Sequence, residues 1–174
     1  MALSRRSLLL TGPPGGGKTT VVRRVADLLA GRRICGFMTE EIRVQGERQG
    51  FRLETFEGRS AVLAHVSNRS CPRVGKYGVN IPALEGAVEG ALDPNVGADV
   101  YLVDEIGRME CLSGRFIAAM TRLLDSGKPV VATVARRGAG FIEDVKRRAD
   151  VEVWQVTRSN RDKLPEKIIS WLGM

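Results

Sequence analysis

Histidine is nearly missing from this 174-residue sequence, in which His65 stands alone. A histidine-based catalytic triad and a His-rich metal centre are therefore not on offer. Cysteine is scarce too. Cys35, Cys71 and Cys111 are odd in number and far apart, with no C-x-x-C pair. That spacing speaks against a disulfide framework or a structural zinc site, and it suits a reducing cytoplasm. Long apolar runs are absent, and nothing approaches the ~18 residues of a membrane span. Ser4-Arg5-Arg6-Ser7 before Leu8-Leu9-Leu10 superficially resembles a twin-arginine export signal. The apolar stretch is too short for one, and cleavage would remove a strand. Aromatics are few: five Phe, two Tyr and two Trp. No aromatic-interleaved RNA-binding module is visible. Repeats and low-complexity tracts are also lacking.

What remains is an ordinary globule, 43% hydrophobic and 27% charged, expected as one domain over 1–174. A net charge of +7 comes with scattered basic pairs: Arg5-Arg6, Arg23-Arg24, Arg32-Arg33, Arg136-Arg137 and Lys146-Arg147-Arg148. These are either solvated faces biased toward polyanionic nucleotides or a nucleic-acid track. The shortage of stacking aromatics favours the first, so nucleic acid is possible but not favoured as a partner. A membrane partner is not expected, and a monomer is.

Glycine is the residue in excess, at 20, and it clusters at one place. Residues 12–19 read GPPGGGKT, which fits G-x-x-x-x-G-K-[ST], the P-loop. Glycine lets the backbone bend so that successive N–H groups point inward around an anion. The expected nucleotide contacts are Gly12, Pro13, Pro14, Gly15, Gly16, Gly17, Lys18, Thr19 and Thr20. Lys18 reaches the β- and γ-phosphates, and the Thr19 hydroxyl ligates Mg²⁺. The required context is present. Leu8-Leu9-Leu10 reads as a buried strand, and Val21, Val22, Val25, Leu28 and Leu29 recur at helical spacing up to Gly31.

Further along, residues 34–42 and 50–56 read as strands joined by a turn at Gln45-Gly46-Glu47, with a third strand at 60–65. An antiparallel insertion over 34–65, covering an edge of the main sheet, is the expectation. Residues 68–80 are polar and glycine-rich and read as a long loop. Its Arg69, Arg73 and Lys76 either lie over bound phosphates or are simply solvated. After that, strands at 100–103, 129–134 and 151–156 alternate with helices at 82–92, after Ser113, around Phe141 and at 165–172. The fold class is α/β: a doubly wound, mostly parallel P-loop NTPase sheet of RecA/ASCE type with the antiparallel meander inserted.

Val100-Tyr101-Leu102-Val103-Asp104-Glu105 is an apolar strand ending in two acids, a Walker B pattern. A carboxylate at that end of a parallel strand faces the crevice where ligands sit. Asp104 is the expected Mg²⁺ partner beside Thr19. Glu105 orients or deprotonates the attacking water, with a structural ion pair as its alternative. Leu102, Val103, Ile106 and Gly107 flank these acids and join the expected nucleotide site. Thr133 either senses the γ-phosphate and lytic water or satisfies backbone groups. Asn160 and Arg161 follow the last strand; either they touch base or ribose, or Asn160 or Asp162 caps the last helix.

Val103-Asp104-Glu105-Ile106-Gly107-Arg108-Met109-Glu110 resembles the D-E-I-G-K-M-E signature of the small stand-alone nucleoside triphosphatases, the thermophilic-type and human cancer-related NTPase family. Gly36-Phe37-x-Thr39-Glu40-Glu41 with Gly50-Phe51 is similar to that family's strand pair. Val74-Gly75-Lys76-Tyr77-Gly78-Val79 and Asn160-Arg161-Asp162-x-Leu164-Pro165 are similar to its later blocks. The resemblance spans nearly the whole chain. It implies Mg²⁺-dependent hydrolysis of ATP, GTP, CTP, UTP and TTP to NDP and phosphate, with slow turnover. Lys18, Glu105 and Arg108 are then the expected catalytic residues. Arg108 stands where the family usually has lysine, and a planar fork does not replace an ammonium like for like. The competing readings are a small nucleoside or nucleotide kinase, which needs an acceptor site, and a nucleic-acid-coupled ATPase.

Overall fold

The computed structural model describes residues 7–69 and 72–174. Arg5, Arg6 and Cys71, named above, lie outside the described residues. The elements run β1 (Ser7–Thr11), α1 (Lys18–Leu28), β2 (Ile34–Val44), β3 (Glu47–Thr55), β4 (Ser60–His65), β5 (Arg73–Val74), β6 (Tyr77–Val79), α2 (Ile81–Ala91), β7 (Val100–Ile106), α3 (Gly114–Asp125), β8 (Val130–Val134), α4 (Phe141–Lys146), β9 (Val151–Gln155) and α5 (Leu164–Leu172), with a 3₁₀ turn at Glu110–Leu112.

The strands form one sheet in the order β5-β6-β4-β3-β2-β7-β8-β1-β9. From β2 to β9 every pairing is parallel. Strand β8 therefore lies between the strand that feeds the P-loop and the strand that carries the acids. Apolar residues occupy both faces of β1, β7 and β8, as central parallel strands require. Alternate residues feed two cores. Leu9, Val103 and Ala132 face α2, α3 and α4, while Leu8, Leu10, Leu102 and Val131 face α1 and α5. Helix α3 starts where the Ser113 side chain accepts a bond from the Phe116 N–H at 3.0 Å and so caps it.

Two expectations change. The meander does not cover an edge of the sheet but prolongs it. Strand β2 is long enough to pair with β7 over its first residues, Ile34 to Phe37, and with β3 from Phe37 to Val44. Gln45 and Gly46, both at positive φ, make the two-residue turn. The expected long loop at 68–80 contains the hairpin β5–β6, whose strands are too short to show an alternating pattern. No helix among the described residues is long and apolar enough to cross a membrane.

Candidate active site

Strand β1 ends at Thr11, and the chain turns through Gly12–Gly17 into α1. Gly17 holds φ 100° at the N-cap, a left-handed conformation that side chains resist. The Gly16 N–H donates to Pro13 O at 3.0 Å, and Val21 N–H to Gly17 O at 3.0 Å, so the loop closes directly into helix. Lys18 Nζ folds back over the loop and donates to Gly12 O at 2.9 Å and Pro13 O at 3.4 Å. The ammonium is thereby held at the rim of an anion cradle.

Opposite the loop, β7 bulges. Its pairing with β8 is regular to Val103↔Ala132 and resumes at Ile106↔Val134, so Asp104 and Glu105 together oppose Thr133. Such a bulge re-aims side chains, and here it aims two acids in different directions. Asp104, 2% exposed, is surrounded by hydroxyls. Thr19 Oγ1 and Thr39 Oγ1 donate to its Oδ2 at 2.8 and 3.2 Å, and Thr133 Oγ1 to its Oδ1 at 2.7 Å. Each threonine comes from a different element: α1, β2 and β8. The cluster offers hard oxygen donors only, and no group of three or more His, Cys, Asp and Glu side chains among the described residues is arranged to hold a metal ion. This donor chemistry fits a small hard cation that keeps its waters, not zinc or another soft metal.

Glu105 turns toward the cleft. Burial pushes its carboxyl above the usual range, the Asp104 charge adds to this, and Lys18 opposes it. Glu110 lies fully inside. Burial first, and then the Glu105 charge, push its carboxyl up to about 8, although it accepts bonds from its own N–H and that of Gly107. Gly107 separates the two. A Cβ there would come within 2.6 Å of Glu105 Oε1 and 2.9 Å of Glu110 Oε2. Only glycine leaves room for both carboxylates.

These groups line an open cleft of about 1190 Å³. The loop from Pro14 to Thr20, with Asp104, Glu105 and Arg108, lies on its walls. A smaller hollow of about 250 Å³ is bounded by Gly17, Thr20, Val21, Arg24, Arg161 and Asp162, and shares Gly17 and Thr20 with the cleft. Arg161 packs its aliphatic stem against Gly17, with Cδ 3.1 Å from where a Cβ would stand. Leu102, Val103 and Ile106 do not reach either hollow. They are fully buried and anchor β7 from within. Asn160 spends its amide on the backbone: Oδ1 accepts from Thr157 N–H at 2.8 Å and Nδ2 donates to Gln155 O at 2.8 Å. The Thr133 hydroxyl donates to Asp104 and not to a backbone group.

Thr39 and Glu110 were not singled out from the residues. Each belongs to a block that carries the family resemblance, but a lone Thr in a strand or a Glu after a loop has no chemical signature of its own. Arg136 and Arg137, seen only as a basic pair, stand on the cleft wall after β8. The other pairs divide: Arg148 is ion-paired with Asp125 and Asp150, Lys146 with Glu143, and Arg24 lies 3.5 Å from Asp162.

A family model described as NTPase matches residues 7–169. The nucleoside-triphosphatase THEP1 of Thermofilum pendens is 41% identical over 172 residues, spanning 95% of this chain and 94% of that protein. A cancer-related nucleoside-triphosphatase homolog of Mus musculus is 36% identical over 182 residues, spanning 95% of each. The crystal structure of THEP1 from the hyperthermophile Aquifex aeolicus superposes with a TM-score of 0.88 at 33% identity, spanning 97% of this chain and 99% of that one.

Proposed function

The chain belongs to the nucleoside-triphosphatase family, and from that premise we propose that it hydrolyses nucleoside 5′-triphosphates to diphosphate and phosphate, with Mg²⁺ as cofactor and wide tolerance of the base. The observation that carries this reading is the Asp104 cluster set against the P-loop: Thr19 and Asp104 are 2.8 Å apart, with Glu105 next to them in the cleft.

The loop N–H groups and the start of α1 bind the phosphates. Lys18 leaves its two carbonyl acceptors for the β- and γ-phosphates. Thr19 and Asp104 would hold Mg²⁺, which when bound neutralises charge across those phosphates. Thr39 and Thr133 keep the Asp104 carboxylate in place from two directions. Glu105 orients the attacking water and takes its proton. Its partial burial strengthens it as a base, since a carboxylate that resists ionisation binds a proton more readily. Arg108, on the same cleft wall, adds positive charge near the γ-phosphate. Wide base tolerance is supported by the small hollow beside Gly17. Asn160 is committed to the backbone and Asp162 faces Arg24, so few edges are left to read a base.

The test is phosphate release from ATP, GTP, CTP, UTP and TTP with Mg²⁺, with and without RNA, beside Glu105→Gln. Turnover of several triphosphates without RNA is expected, lowered ~10²–10⁴-fold in the variant while ATP still binds. Turnover that appears only with RNA would overturn this reading in favour of a nucleic-acid-coupled ATPase.

A further inference from the structure

The 1190 Å³ cleft is larger than a single triphosphate site requires. Its far wall belongs to the antiparallel strands and has no role in the chemistry above. On that wall Arg48 is held in an unusual way for a residue with 44% of its side chain exposed. Its Nε donates to the Tyr77 hydroxyl at 2.9 Å, and its Nη1 to Glu41 Oε1 at 3.0 Å. Its guanidinium carbon also lies 5.2 Å from the centre of the Phe51 ring and 5.7 Å from that of Tyr77. The two rings meet edge to face at 5.2 Å. The guanidinium edge is thus tied by hydrogen bonds, and the rings back it. Glu41 is in turn held by Arg43 at 2.7 Å. Leu63 and Val74 complete an apolar surround.

A fixed guanidinium plane backed by aromatic rings is a stacking platform. We propose that Arg48, Phe51 and Tyr77 form a second ligand subsite, for a planar heteroaromatic molecule of nucleoside size. The inference rests on the triphosphate reading of the P-loop. Lys18, Thr19 and Glu105, which line the cleft, mark the γ end of the bound triphosphate on that reading, and base and ribose are assigned to the separate hollow at Arg24 and Arg161, which shares only Gly17 and Thr20 with the cleft. Arg48, Phe51 and Tyr77 line the cleft with Lys18, Thr19 and Glu105 and do not line that hollow, so a base held there is not the one stacked on Arg48. Its occupant is a second molecule, stacked by its ring on Arg48, with its polar edge free to meet Glu41.

The test uses the whole chain saturated with Mg²⁺ and the non-hydrolysable β,γ-imido analogue of ATP. Adenosine, guanosine, cytidine and thymidine, which carry no phosphate to compete for the P-loop, are then titrated in, with calorimetry and the NMR signals of Arg48 Nε and the Phe51 ring as readouts. At least one nucleoside should bind and shift both signals. Arg48→Lys, which keeps the charge and removes the plane, should weaken that binding at least tenfold, as should Phe51→Leu. Unmoved Arg48 signals in analogue-loaded protein, or equal binding by Arg48→Lys, would overturn the second subsite alone. Failure of the ATP analogue itself to bind would bring down the triphosphate reading and this inference with it.

Discussion

Thr133 and Asp104 meet across β7 and β8, where the fully buried hydroxyl donates to Asp104 Oδ1 at 2.7 Å. Oδ2 is served by Thr19 and Thr39, so Oδ1 depends on Thr133. Replacing the hydroxyl by a methyl of nearly the same shape leaves a buried carboxylate oxygen unsatisfied. Thr133→Val should therefore lower stability by about 1–3 kcal/mol, read by urea unfolding without nucleotide. Thr133→Ser should recover most of it. An unchanged midpoint in the valine variant would mean that Oδ1 is satisfied some other way.

Gly107→Ala probes the space between the two glutamates. The added Cβ meets Glu105 Oε1, the end of a side chain that reaches the open cleft, before it meets the enclosed Glu110. Glu105 yields first, and Glu110 Oε2, 2.9 Å from the added Cβ, must shift as well, so the main damage falls on the aim of Glu105 with a smaller cost to the fold. Displacing a catalytic group by about 1 Å can cost about 10²-fold. Phosphate release should drop about 10²-fold in kcat, with KM nearly unchanged and the unfolding midpoint lowered only slightly. A large loss of stability with normal kcat would reverse the assignment.

How far the sequence reveals this site follows from the range of the interactions involved. The P-loop is written in eight consecutive residues, because one turn and one helix start make the whole cradle. Asp104 and Glu105 are legible because a buried strand that ends in acids is a local pattern. Thr39 and Thr133 become partners of Asp104 only through the order of β2, β7 and β8. No spacing encodes that. Arg48 and Tyr77 are 29 residues apart and meet only because β4 lies between β3 and β6. Glu110 reads in the sequence as one more surface acid, and only the 3₁₀ turn beneath Gly107 puts it inside. The strands β5 and β6 are hidden by their brevity, and the fate of Asn160 is decided by the turn it closes.

The thiol of Cys111 should be inert. Burial first, and then the neighbouring Glu110 and Glu105 charges, push it up to about 12. At pH 8 about one in ten thousand such groups is a thiolate, the reactive form. Cys35 is likewise raised, mainly by burial. Both should resist iodoacetamide in the native protein at pH 8 and react fully in urea, as peptide mass spectrometry would show. Rapid native labelling of Cys111 would mean that the pocket under Gly107 opens readily.

Glu110 makes stability depend on pH in a direction opposite to that of an ordinary carboxylate. Its folded value is about 8 against an unfolded value near 4.5, so between the two the native state binds the extra proton. The stabilisation is fully present below pH 4.5 and is lost as the pH rises through about 8. Other groups titrate over the same span, so the useful quantity is the difference between wild type and Glu110→Gln, an amide of the same shape that cannot ionise. Measured without nucleotide or metal, the variant should gain on the wild type by a few kcal/mol between pH 5 and pH 9, since each unit of displaced pKa is worth about 1.4 kcal/mol. The gain should level off above pH 9, once Glu110 is ionised in both states. A difference that stays flat across the window would show that Glu110 is already charged at neutral pH, and that the charge of Glu105 is balanced by some other group.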